Sequence, residues 1–113
     1  MFSNLEEKQK AEIGVLEKFI TEYEDYKKYI ENTTEQDKQT PRYQHRLNIV
    51  EGVDKIYPLL TDEMKHIIKS RYWYKDYPSD WAEVADDLYM KVSQVKKIRN
   101  VLIKKLADAI GWV

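Results

Sequence analysis

The apolar residues of this chain recur every three or four positions along most of its length, which predicts amphipathic helices. In the first such stretch the recurring positions are Ile13, Leu16, Phe19 or Ile20, Tyr23, Tyr26 and Ile30. Gly14 falls inside this stretch and weakens a helix by about 1 kcal/mol relative to alanine, but the pattern continues on both sides of it. We therefore predict one helix over residues 4–30, followed by a polar connection over residues 31–40.

Four further helices are predicted by the same spacing and by residue types that favour helix ends. Thr40 before Pro41 is typical of a helix start, and so is Thr61 before an acidic first turn. The predicted helices are residues 41–57, 62–72, 81–88 and 92–110, the third of them capped by Ser79 or Asp80 and the last ended by Gly111. In the connection at 73–78, Trp73, Tyr74 and Tyr77 are expected to cover the core; the alternative is an exposed surface for a partner. The sequence thus predicts an all-α protein of about five helices.

Composition narrows the class of protein further. The chain has no cysteine, which excludes disulfides and thiolate metal sites. No apolar run approaches the roughly 18 residues that span a bilayer, and the first ten residues lack the apolar segment of a signal peptide. We therefore expect a cytoplasmic protein with no membrane partner.

The last two predicted helices form a helix-turn-helix candidate, because a connection of only three residues, 89–91, joins them. The first of the two carries Trp81, Val84, Ala85 and Leu88 on one face. The formal net charge of the chain is −1, which taken alone argues against nucleic-acid binding. The bases are nevertheless concentrated in the second helix, since residues 91–105 contain six of them and no acid: Lys91, Lys96, Lys97, Arg99, Lys104 and Lys105.

The second helix of such a pair places its N-terminal residues in the major groove of DNA. Glutamine and asparagine can pair with adenine edges, and lysine with guanine. On the face away from Val95, Ile98 and Leu102, the candidates for base contacts are Ser93, Gln94, Lys97 and Asn100. The candidates for phosphate contacts, which give affinity rather than sequence choice, are Lys91, Lys96, Arg99 and Lys104.

Two blocks in this half of the chain, Trp81-Ala82-Glu83-Val84-Ala85 and Ser93-Gln94-Val95 followed by Ile98-Arg99-Asn100, resemble sigma-70 region 4. More narrowly, they are similar to the ArpU/RinA group of phage late-transcription activators. The resemblance implies a region-4 helix-turn-helix over residues 59–111 and a sequence-specific regulator, a phage or prophage late-gene activator, that binds double-stranded DNA. It also implies that the protein acts in the cytoplasm of a bacterial host cell. The turn departs from the family pattern, with Tyr89 in place of the usual glycine and Lys91 in place of the usual Ser or Thr cap. A tyrosine with positive φ would be strained there.

We divide the chain into an N-terminal helix with its polar connection, residues 1–40, and a helical domain, residues 41–113, that contains the helix-turn-helix. Between Asn4 and Lys38 there are ten acids and six bases, a balance of −4 that suits contact with protein better than with DNA. The N-terminal helix is therefore expected to pack on the domain, to form a homodimer, or to contact RNA polymerase or a sigma factor.

Two other functions fit the same pattern. The chain could be a phage DNA-packaging adaptor of the small-terminase kind, which would assemble into rings. It could also be a protein-binding factor that acts on a host sigma factor or RNA polymerase, in which case salt-sensitive DNA binding would be absent.

An enzyme is not expected. Glu63 and His66 have a spacing found in carboxylate-bridged metal bundles, but such sites need a second copy and two further glutamates. The sequence contains no Gly-rich phosphate loop and no nucleophile motif. We accordingly predict no catalytic residue, no metal and no cofactor.

Overall fold

The computed structural model describes the backbone of residues 2–74 and 76–112, and the side chains of residues 9–74 and 76–112. Within these residues the chain forms α-helices and no β-strand, so the predicted all-α fold of about five helices is confirmed. The helices are α1 (Phe2–Thr21), α2 (Tyr23–Glu31), α3 (Pro41–Ile56), α4 (Asp62–Ile67), α5 (Trp81–Leu88) and α6 (Val92–Ile110). Short 3₁₀ turns lie at Asp37–Gln39 and Tyr57–Leu59, and α4 continues into a π-helical turn at Ile68–Trp73.

The single helix predicted over residues 4–30 is wrong at Glu22, where a ψ of 4° bends the chain between α1 and α2. Hydrogen bonding continues through the bend, since Glu22 N–H donates to the Lys18 carbonyl at 2.9 Å. No proline or glycine marks the bend, so residue type gave no signal for it. Just beyond it, Tyr23 stacks on Trp73 with ring centroids 5.4 Å apart, a contact between distant parts of the chain. Gly14 lies inside α1, as predicted.

The predicted N-caps of the later helices are confirmed. The Thr40 hydroxyl accepts a hydrogen bond from Tyr43 N–H at 3.2 Å, and the Thr61 hydroxyl accepts one from Met64 N–H at 3.2 Å. Asp80, rather than Ser79, caps α5. These caps satisfy N–H groups that a helix start leaves without partners.

One hydrophobic core contains residues from both sides of position 40, where the sequence suggested a division of the chain. Its most buried members are Ile20, Ile49, Ile67, Ile68, Val84, Val95, Leu102 and Leu106. Leu16, Phe19 and Tyr23 of the N-terminal stripe are buried in the same core, so this stripe packs within the chain. A homodimer remains a prediction, but the stripe that suggested it is already covered.

Among the described residues of the connection at 73–78, Trp73 is the one that covers the core. Trp73 stacks against Tyr23 and Tyr57 and donates its indole N–H to the Ile20 carbonyl at 3.0 Å. Tyr74 and Tyr77 are exposed, so their predicted role in covering the core is wrong. Lys75 lies outside the described residues.

The C-terminal end of α6 is fixed against α3 by a close approach at Gly52. A Cβ atom at this glycine would lie 2.5 Å from Cγ2 of Ile110. Asn48 adds a hydrogen bond from its side-chain amide to the Ile110 carbonyl at 2.8 Å. Gly111 then ends α6 with a φ of 74°, as predicted from its position after the last apolar residue.

Candidate nucleic-acid interface

Helices α5 and α6 pack against each other through small and β-branched side chains. Val84 and Ala85 of α5 are buried against the core, as is Val95 of α6. Trp81 and Leu88 are half-buried and pack against the same core. The apolar residues predicted to hold the pair together therefore all belong to the core or pack against it.

The start of α5 is fixed by a reciprocal pair of hydrogen bonds. Glu83 N–H donates to the Asp80 carboxylate at 2.8 Å, while Asp80 N–H donates to the Glu83 carboxylate at 3.5 Å. This is a capping box, with aspartate in place of the more common serine or threonine. It sets where α5 begins and, with the buried contact to α6, the direction in which α5 runs.

The turn between the helices is a Schellman motif. Tyr89 N–H donates to the Asp86 carbonyl at 3.2 Å, and Met90 N–H donates to the Ala85 carbonyl at 2.9 Å. The motif places Tyr89 in the left-handed region, at φ 56° and ψ 41°, where glycine is the usual residue. Among the described non-glycine residues it alone has a positive φ. The strain anticipated from the sequence is therefore present.

Lys91 occupies the N-cap position of α6, but a lysine side chain has no acceptor for the free N–H groups of the helix. Gln94 supplies half of a capping box instead, because its side-chain carbonyl accepts from Lys91 N–H at 2.9 Å. Gln94, predicted to read bases, thus has its oxygen engaged in holding the turn. Its amide N–H groups remain available as donors.

Five exposed polar residues lie together at the start of α6, and we call them the basic face: Lys91, Ser93, Gln94, Lys96 and Lys97. None of its three lysines makes an ion pair with another described residue. Helical periodicity puts Ser93 and Lys97 on the side of α6 opposite the buried Val95 and Leu102. The face therefore presents unpaired positive charge and hydrogen-bonding groups to solvent.

Arg99 does not belong to this surface, although the sequence suggested a phosphate contact for it. Its side chain is 15% exposed and its guanidinium lies 3.5 Å from the Glu17 carboxylate of α1. The same group lies over the Trp81 ring, with Cζ 5.0 Å from the ring centroid. Because these contacts hold Arg99 within the protein, its assignment to phosphate is withdrawn.

Glu17 also accepts a hydrogen bond from the Tyr72 hydroxyl at 2.5 Å. Burial, together with this carboxylate, raises the pKa of Tyr72 well above its usual value. Glu17 thereby connects α1 to the π-helical turn and to α6. No local pattern indicates this role of Glu17, because an acid in an amphipathic helix usually faces solvent.

The remaining candidates lie further along α6. Asn100 is exposed but accepts a hydrogen bond from Arg99 Nε at 2.7 Å. It lines, with Gln9, Ile13 and Trp112 among others, an open groove of about 460 Å³ between α1 and α6. Lys104 is exposed and lies 3.5 Å from Asp108, a surface pair of little strength. By helical periodicity both residues lie on the same side of α6 as Ser93 and Lys97, one to three turns further from its start.

His66 connects α4 to α5 rather than pairing with Glu63. Its Nε2 lies 3.0 Å from the Asp87 carboxylate and 3.2 Å from the Ser70 hydroxyl. In the described part of the chain, no three acidic or histidine side chains are grouped so that they could hold a metal ion. Likewise, none of the described helices has both the length and the apolar character needed to cross a membrane.

Comparisons with protein-family models, with curated proteins and with solved structures found no match to this chain.

Proposed function

We propose that this chain is a sequence-specific DNA-binding protein of the helix-turn-helix class and that it regulates transcription. The observation that carries the proposal is the basic face at the start of α6. A short connection and a buried contact hold α6 against α5, and its first residues extend into solvent with unpaired lysines. A helix presented in this way fits the major groove.

Charge distribution supports DNA as the partner more strongly than net charge does. Residues 91–105 carry six bases and no acid, although the chain as a whole has one more acid than it has bases. Lys91, Lys96 and Lys97 are exposed and form no ion pair with a described residue, so a phosphate would not need to displace an existing partner. Each such contact releases counterions from DNA, which makes the affinity dependent on salt.

The resemblance to sigma-70 region 4 supports a narrower role, that of a phage or prophage late-gene activator. It rests on residues that hold the helix pair together, chiefly Trp81, Val84, Ala85 and Val95. It is weakest at the turn, where Tyr89 and Lys91 replace the residues typical of the family. RNA polymerase or a sigma factor would then be a second partner.

The first test is to select bound fragments from phage or host DNA at about 150 mM salt, where non-specific binding is suppressed. Affinity for the selected site and for an unrelated duplex is then measured by fluorescence anisotropy between about 50 and 200 mM salt. Phosphate contacts by Lys91, Lys96 and Lys104 predict a slope of log affinity against log salt concentration near −3, since each contact contributes about −0.9. An affinity that does not change with salt would contradict DNA binding and favour a protein partner.

The second test compares three lysine variants that remove the same charge. Lys97→Ala should weaken binding to the selected site by about tenfold or more, the loss expected for one base contact. Lys104→Ala should weaken both duplexes alike, because a phosphate contact is independent of sequence. Lys28→Ala, on the exposed side of α2, is the matched control and should bind as the parent does. If Lys97→Ala and Lys104→Ala both bind as the parent does, the assignment of α6 to DNA contact is refuted.

A further inference from the structure

Tyr89 combines two properties that folding does not explain. Its backbone is in the left-handed region, which disfavours every residue with a Cβ atom except asparagine and aspartate. Its side chain is 96% exposed. Among the described residues, none hydrogen-bonds to its hydroxyl or packs a ring against it. The tyrosine therefore strains the turn without a contact that would offset the strain.

Strain of this kind is found at binding sites, where a residue is retained for what it contacts outside the protein. The surroundings of Tyr89 indicate a polyanion as that contact. It lies two residues before Lys91, and Lys96 and Lys97 follow in the first turns of α6, all of them exposed. The exposed acids Asp86 and Asp87 precede it at the end of α5, so the positive charge lies on the α6 side of the turn. Val92, three residues after Tyr89, adds an exposed apolar side chain at the start of α6. A phenol in such a setting can place its ring on a sugar and its hydroxyl on a phosphate oxygen.

We propose that Tyr89 is a further DNA-binding residue, whose hydroxyl donates a hydrogen bond to a backbone phosphate beside the groove that α6 enters. This inference rests on the function proposed above. The contact is with the sugar-phosphate backbone, so it contributes affinity for every duplex and does not choose the sequence. A protein partner at the same ring is the alternative that the experiment separates.

The decisive variant is Tyr89→Gly, because strain and binding predict opposite changes. Glycine adopts a positive φ without strain, so the melting temperature should rise by about 4 °C. Loss of the phosphate contact should weaken binding to specific and unrelated duplexes alike, by about three- to tenfold. If Tyr89 only stabilised the turn, Tyr89→Gly would not raise the melting temperature and lower the DNA affinity at the same time.

Tyr89→Phe keeps the ring and the strain but removes the hydroxyl. It should leave the melting temperature unchanged and weaken the binding of both duplexes, by no more than Tyr89→Gly does. Tyr74→Phe, at another exposed tyrosine, is the control and should change neither property.

The outcomes distinguish this inference from the function beneath it. If the parent binds DNA and Lys97→Ala weakens it, but both Tyr89 variants bind as the parent does, the inference is overturned and the ring is left for a protein partner. If only Tyr89→Phe binds normally, the hydroxyl-to-phosphate contact is overturned. If the parent shows no salt-dependent DNA binding, the proposed function fails and the inference fails with it.

Discussion

The same substitution at two glycines should change the stability of this protein in opposite directions. Gly14 lies on an exposed position of α1, where an added Cβ meets nothing within 4 Å. Gly52 lies where α3 crosses the end of α6, and an added Cβ would lie 2.5 Å from Cγ2 of Ile110. Alanine at position 14 should therefore stabilise the protein through its higher helix propensity. At position 52 the same gain is opposed by the clash of the new Cβ atom with Ile110.

The magnitudes follow from two terms. Replacing a helical glycine by alanine stabilises a helix by about 1 kcal/mol, which is the full effect expected for Gly14→Ala. At Gly52 the same gain is opposed by overpacking, typically about 1–3 kcal/mol in a tight contact. Ordinary contact begins near 3.4 Å, so Ile110 must move by almost 1 Å, and its Cγ2 is attached directly to its Cβ. Gly52→Ala should therefore be destabilising by up to about 2 kcal/mol.

Urea unfolding followed by far-UV circular dichroism measures both changes in free energy of unfolding. Gly14→Ala should shift the midpoint upward and Gly52→Ala downward, at similar m-values. Adding Ile110→Ala removes the clashing methyl group, so Gly52→Ala should cost less in that background than in the parent. If Gly52→Ala stabilises the protein as much as Gly14→Ala does, α3 does not make this approach to α6.

Two further predictions concern Glu17 and its partners. Tyr72→Phe should lower the free energy of unfolding by about 1–2 kcal/mol at pH 7, because Glu17 loses a donor. The pKa of Tyr72 is raised in the folded protein, so the stability that this group contributes is fully present below pH 10 and is lost as the pH rises above that value. The fall in the free energy of unfolding above pH 10 should therefore be smaller for Tyr72→Phe, which lacks this group, than for the control Tyr74→Phe. Arg99→Ala should destabilise the protein by roughly 1–3 kcal/mol in urea unfolding. Measured well below the melting temperature, the DNA affinity of Arg99→Ala should stay within about twofold of the parent. Lys97→Ala should lose about tenfold, because it removes a base contact. An Arg99→Ala variant of normal stability that binds DNA weakly would contradict this prediction.

Most of the fold was predictable because local signals agree with the tertiary structure. The caps at Thr40, Thr61 and Asp80 and the end at Gly111 act through neighbouring backbone groups, so a few residues suffice to identify them. The bend at Glu22 could not be found in this way. It accompanies contacts with Trp73 and other residues far along the chain, and periodicity within one segment carries no information about them.

The candidate site was predictable to the extent that exposure follows helical periodicity. Ser93, Lys96 and Lys97 are exposed, as their spacing from Val95 predicts. Arg99 was misassigned because charge suggested solvent, while its position, four residues after Val95, places it on the inner side of α6. A long guanidinium side chain can remain there when an acid and an aromatic ring receive it, and neither partner is near it in sequence.

Charge and local strain point to different residues of α6 and its turn, and together they define the interface better than either does alone. Arg99 adds to the basic count of the segment but is held by Glu17, so counting bases overstates the surface available to DNA. Tyr89 and Lys91 do not match the residues that the helix-turn-helix pattern has at these positions. Tyr89 lies where glycine is usual and Lys91 where a capping Ser or Thr is usual, and no described residue pairs with either side chain. Sequences that fold well break such preferences mainly where another molecule binds. The proposed interface is therefore better described by Tyr89 and the basic face than by all six bases of the segment.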